Sequence, residues 1–163
     1  MTLFALFKLI HVASVIWMFA GLLGRFYALG AASRATDIRL TGAFVDLGGR
    51  FEKTMVIPGS SVVLISGIVT ALVGGFPLLG PVQNGPAWIF VSLLLFAATL
   101  ALVPTVFLPR GRIFGAALEN ATARGEVTPG LKAAFADPVV VRSHWGELVG
   151  FGLIFVLMVL KPF

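Results

Sequence analysis

Few side chains in this sequence could do chemistry: two histidines, seven acids and twelve cations in 163 residues, with no cysteine. Without thiols, disulfides and thiolate metal sites are excluded. His11 stands in KLIHVASVIWMF, three residues after Lys8 and seven before Met18. Neutral imidazole is the usual ligand of a haem or chlorophyll-type macrocycle, so His11 is a candidate axial ligand. Lys8, His11, Ser14, Met18, Gly21 and Arg25 share one arc at helical spacing, which makes Lys8 and Met18 the candidate companions of a cofactor on His11. The competing reading of His11 is a hydrogen bond to a neighbouring helix. A second constellation is RSHWGE, which sets His144 three residues before Glu147, with Arg25 as a partner of opposite charge. It reads either as an ion pair that fixes helix register or as a carboxylate that handles protons or catalysis. No nucleotide loop, metalloprotease box or nucleophile elbow is present, so nothing points to a hydrolase.

The elements that must position these residues follow from composition. Apolar residues make up 58% of the chain and charged ones 12%, with nineteen glycines besides. A soluble domain is about 45–50% apolar with glycine included and about 25% charged. So many apolar side chains cannot all be buried in a domain of this size, and disorder is excluded by the same figures. The expected fold is all-α: a single integral membrane four-helix bundle, up-and-down, with spans of about 3–30, 55–79, 87–108 and 138–160. The amino terminus has no charged region ahead of its apolar stretch and reads as a retained span, not a signal peptide.

Basic residues cluster in two connecting segments, taken as cytoplasmic loops at 31–54 and 109–137. GGFPLLGPVQNGP, between the second and third spans, carries no charge. By the positive-inside rule both termini then lie outside, on the periplasmic face of a bacterial inner membrane. The net charge of +5 is scattered between spans and so marks orientation, not nucleic-acid binding. Trp88 and Trp145 fall near span ends, where amphipathic rings settle. Pro58 and Pro104 lie within apolar stretches and should kink or loosen spans two and three. Within the second basic segment, Thr128–Pro129 opens a short helix to about Phe135, and Asp137–Pro138 opens the last one.

Span four carries the main clue. Leu148–Leu160 alone extends about 20 Å, against a hydrocarbon core of roughly 30 Å. It crosses only by drawing Glu147 and His144 to membrane depth, where a carboxylate must face the interior and find a partner. Arg25, 17 residues beyond Lys8 on span one, is the nearest by depth. In this topology His11 and His144 lie on the order of 15–20 Å apart along the membrane normal. Imidazoles sharing one ion need nitrogens within about 4 Å, so no joint metal site is expected. The small, polar stripe Ser60, Ser61, Ser66, Gly67, Thr70 and Gly74 suits tight helix packing.

KLIHVASVIWMFAGLLGRFYAL, WIFVSLLLFAATLAL followed by PRGR, and the terminal LMVLKPF resemble a family of small bacterial four-helix membrane proteins that carries only a domain-of-unknown-function label. More distantly, K-x-x-H, W-x-x-G-L and the closing K-P-F are similar to J-type protoporphyrinogen oxidase and copper-resistance D proteins. That likeness implies a b-type haem on His11 with Lys8 nearby. Span three has no histidine, where the oxidase resemblance calls for one, and the oxidase's Asn-Glu-x-Pro appears only as GELV around Glu147. The leading expectation is a non-catalytic accessory or cofactor-binding subunit in the lipid bilayer, associated with other membrane subunits or with itself. Alternatives are a haem-dependent oxidoreductase acting on a porphyrinogen or quinone, and a small oligomeric transporter.

Overall fold

The computed structural model describes residues 2–83 and 85–162. Helix α1, Leu3–Arg34, starts where Thr2 Oγ1 accepts from the Ala5 N–H at 3.2 Å. After a short turn, the Asp37 carboxylate caps α2, Ile38–Phe51. A π-helical turn, Glu52–Val56, carries α2 into α3, Ile57–Val73, without a break. The connection to α4 contains one 3₁₀ turn, Gly80–Gln83. The pattern then repeats: α4, Trp88–Leu102, passes through a π-helical turn, Val103–Phe107, into α5, Leu108–Arg124. Gly125, at φ 71°, ends α5. Thr128 caps α6, Pro129–Phe135, and Asp137 caps α7, Pro138–Leu160.

Four helices are long and apolar enough to cross a membrane, and the described residues contain no strand. The connecting segments 31–54 and 109–137, expected as loops, are themselves mostly helical. The reason lies in their patterning. Ile38, Thr41 and Gly48 are buried on one face of α2, so this stretch packs against α1 despite its polarity. Ile38 also meets Ala121 of α5 and Leu131 of α6 in a small separate core, closed by the Phe114 and Phe135 rings at 4.9 Å.

Both π turns end two residues before a proline: Val56 before Pro58, and Phe107 before Pro109. Proline has no N–H to donate, and its ring collides with the carbonyl four residues back. A wider turn there removes the collision while the helix runs on. At Pro58 the expected loosening therefore takes the form of a π turn just before the proline, and Pro104 lies inside the second π turn.

The spans form two antiparallel pairs. Along α1 and α2–α3, glycines let backbones approach: a Cβ added at Gly59 would lie 3.0 Å from Met18 Cβ, and one at Gly21 2.5 Å from Met55 Cβ. In the second pair, a Cβ on Gly150 of α7 would lie 2.7 Å from Thr99 Cγ2 of α4. Aromatic side chains join the pairs. Phe151 meets Phe96 at 5.7 Å and Phe19 at 6.5 Å, edge to face, within a core that includes Met18, Leu22, Val56 and Val63. Phe4 packs at Gly74, and Lys161 Nζ lies 5.5 Å from the Trp88 ring and 5.9 Å from Phe76. Both ends of the chain therefore reach the same end of the bundle, opposite the basic segments.

Candidate functional site

Heptad spacing on α1 leads to the site. Met18 faces Gly59; seven residues on, Arg25 faces Glu52, seven residues before Gly59. Arg25 is buried, with a side chain only 10% exposed, and so needs hydrogen-bonded counter-charges. It has two. Nη1 donates to Glu52 in the first π turn, and Nη2 donates to Glu147 of α7. Nη2 also lies 3.4 Å from His144 Nδ1, and that nitrogen is 3.7 Å from Glu147 Oε2. The His144 ring stacks on Phe107 of the second π turn, centroids 4.7 Å apart at 22°. The Arg25 guanidinium carbon is 6.0 Å from the same ring. Among the described residues, Arg25 Nε is a buried donor with no partner.

Both π turns thus converge on one buried guanidinium, Glu52 opening the first and Phe107 closing the second. π-Helical turns recur at functional sites because they re-aim side chains without ending a helix. The formal charge of Arg25, Glu52 and Glu147 is −1, and His144 decides whether that charge is balanced. Glu147 is buried, while the side chains of Glu52 and His144 keep 32% and 22% of their exposure. The cluster is therefore sealed on the Glu147 side and open on the other. Tyr27 (80% exposed) and Trp145 (53%) lie within one turn of Arg25 and Glu147. Such rings settle at the headgroup level. From Trp145 to Lys161 is 16 residues, about 24 Å of helix, comparable with the hydrocarbon core.

The residues of the sequence-derived polar cluster, Arg25, His144 and Glu147, are in contact. Glu52 and Phe107 were not anticipated. Glu52 sits in a segment read as loop; its signal was the heptad distance from Gly59. Phe107, apolar among apolar neighbours, gave none.

The three residues expected around a cofactor differ in burial. His11 is half-buried, its Nδ1 3.1 Å from the Val63 carbonyl and 3.2 Å from Ser66 Oγ, with the ring in the notch left by Gly67. Met18 is sealed at 1% exposure against Gly59, and Lys8 is exposed. Fourteen residues, about 21 Å of helix, separate His11 from the arginine that touches His144. Along the polar stripe of α3, Ser60, Ser61, Ser66 and Thr70 each donate to a carbonyl three or four residues back. Their hydroxyls are satisfied by their own helix.

Four antiparallel, membrane-length helices closed around a buried ionic cluster define a polytopic helical membrane protein. The chain belongs to the family described as a predicted integral membrane protein, DUF2269, whose model matches residues 5–162. No curated protein and no solved structure matches it. The family match brings no activity with it, and the comparisons lend no support to the likeness to J-type protoporphyrinogen oxidase or copper-resistance D proteins.

Proposed function

We propose that this protein is a non-catalytic membrane subunit that works in association with other membrane chains or with further copies of itself. One observation carries the reading: the interior side chains with chemistry are committed to one another. Arg25, Glu52, Glu147 and His144 form a mutually bonded set, and His11 is tied to α3. The ionic set fixes how the two helix pairs meet, which suits a scaffold presenting a defined outer surface. The basic segments favour an orientation with both termini on the outer face of a bacterial inner membrane. The test is the mass of the particle drawn from native membranes in mild detergent. A defined species heavier than the 17.2 kDa chain, with a second copy or a stoichiometric companion, is expected. A homogeneous monomer would overturn the reading.

A cofactor on His11 is a second reading, favoured by the Nδ1 contact to the Val63 carbonyl. A ligating imidazole commonly has its non-ligating nitrogen held by a carbonyl in this way. The fit is partial, because neither buried Met18 nor exposed Lys8 completes a ligand set. A b-type haem held there would supply one-electron chemistry. An absorption spectrum of the purified protein decides this. A Soret band lost in His11→Ala supports the reading, and a chain without one removes both it and the oxidoreductase alternative.

A further inference from the structure

His144 Nδ1 faces a donor and an acceptor at once: Arg25 Nη2 at 3.4 Å and Glu147 Oε2 at 3.7 Å. One nitrogen cannot serve both. In the neutral tautomer with its proton on Nε2, Nδ1 accepts from Arg25. In the imidazolium both nitrogens carry protons, so Nδ1 can only donate, and Glu147 is the acceptor in front of it. Arg25 in turn has two carboxylates to choose from, and they belong to different parts of the molecule. Glu52 is on its own helix pair, α1 with α2–α3; Glu147 is on the other pair, α4 with α7. Among the described residues the guanidinium makes the only ion pair between the two.

We propose that Arg25, His144, Glu147 and Glu52 form a proton-binding site that works as a latch between the two helix pairs. In the unprotonated state Arg25 is shared by Glu52 and Glu147, and the pairs are bolted together. Uptake of one proton from the aqueous side, on Nδ1, turns His144 into the partner of Glu147. The imidazolium repels the nearby guanidinium, and Arg25 passes to Glu52 on its own side. The same proton cancels the formal −1 of the cluster, so the occupied site is neutral.

Two further features fit. His144 and Glu52 keep part of their side chains exposed, at the level of Tyr27 and Trp145 where headgroups are expected. Beside the cluster the seam is held by edge-to-face rings between α1 and α7, while beyond it α2 packs on α5 and α6 through Ile38, Ala121 and Leu131. The charged groups around His144 are Arg25 from α1, Glu147 from its own helix, and Glu52 through Arg25; the second π turn contributes only Phe107. The Arg110–Asp137 pair lies about 10 Å further along α7, seven residues before His144, and ties α5 to the start of α7 within one helix pair.

The absence of cysteine makes the test clean. Leu23→Cys and Val149→Cys, exposed positions on α1 and α7, are spin-labelled in lipid nanodiscs, and the distance between them is followed from pH 8 to pH 5, the range in which histidine changes charge. A second, longer distance population should grow in as a one-proton transition. His144→Asn should hold the short distance at every pH, and Glu147→Gln the long one. A distance that does not change with pH, or a transition that survives in His144→Asn, overturns the proposal. Should either variant fail to fold, ¹⁵N-histidine spectra of the chain carrying only His11→Asn give the same answer. The His144 ring must change from protonated on Nε2 alone to protonated on both nitrogens across the range, and an invariant ring or a mere exchange of tautomers overturns the latch.

Discussion

The two interfaces of this bundle are built from opposite materials. Between α1 and α2–α3 the helices approach closely: Gly21, Gly59 and Gly67 leave notches that Met55, Met18 and His11 fill, with the Arg25–Glu52 pair at one end. Between the two helix pairs there are rings, Phe19 against Phe151 and Phe155 and Phe26 against Trp145, and beside them a buried arginine. In lipid the tails are as apolar as the side chains, so association rests on close packing and on polar contacts. The glycine interface uses the first and cannot slide without a clash. The seam uses the second, which can be switched, and its rings can turn past one another. The first is a joint; the second is a fastening.

The largest loss is expected at the fastening. Arg25→Ala leaves Glu52 and Glu147 without their shared cation and should cost about 3–5 kcal/mol, the usual penalty for stranding buried charge. Glu147→Gln keeps a hydrogen-bonding side chain while Arg25 retains Glu52, so its loss should be nearer ~1 kcal/mol. Thermal unfolding of both variants in one detergent tests the order. Equal and negligible shifts would show that the cluster does not hold the seam.

Next comes the joint. Gly59→Leu must push Met18 Cα and Cβ, now 3.1 and 3.0 Å from the position of the added Cβ, and should cost about 1–3 kcal/mol through overpacking. The two variants should also fail differently. Gly59→Leu separates α1 from α3, whereas Arg25→Ala separates the pairs and leaves each intact. Disulfide trapping between cysteines placed at Phe19 and Phe151 tells them apart, since only Arg25→Ala should lower its yield selectively.

Within the seam, Phe151→Ala is a smaller break. Phe→Ala costs about 3–5 kcal/mol in a water-soluble core. Here the exposed ring would meet lipid and not water, so only the packing share is lost, on the order of 1–2 kcal/mol. A loss as large as that of Arg25→Ala would show that rings, not charge, fasten the pairs.

Much of this contrast was legible in the sequence. The number and length of the spans follow from hydropathy, because lipid demands long apolar helices. Thr128–Pro129 and Asp137–Pro138 mark helix starts because the capping oxygen and the preset proline φ are local matters. The meeting of Arg25 with Glu147 followed from depth alone, since a charge drawn below the headgroups has few partners at its level. Glu52 was hidden because polarity in 31–54 was read as loop, although Ile38, Thr41 and Gly48 carry a buried face. The π turns were hidden as well. Proline announces that a helix must yield, but whether it kinks or widens depends on what the neighbouring helix permits. The differing burial of Lys8, His11 and Met18 was hidden too: a shared helical arc fixes direction, while burial is set residue by residue, Met18 sealed at Gly59, His11 half-buried at Gly67 and Lys8 exposed.

The smallest effect belongs to the end of the bundle away from the fastening. There Lys161, in the left-handed conformation at φ 47°, turns its ammonium over Trp88 and Phe76. No carboxylate pairs with it among the described residues, so the rings are its partners. Cation–π contacts at such accessible sites contribute about 0.5–1 kcal/mol. Lys161→Ala should lower the unfolding temperature slightly, and Lys161→Arg should restore it, because a guanidinium stacks on the same rings. Neither should alter the distance between α1 and α7 near Arg25. If Lys161→Ala moved that distance, the two ends of the seam would be coupled, and the latch could not be treated as a local device.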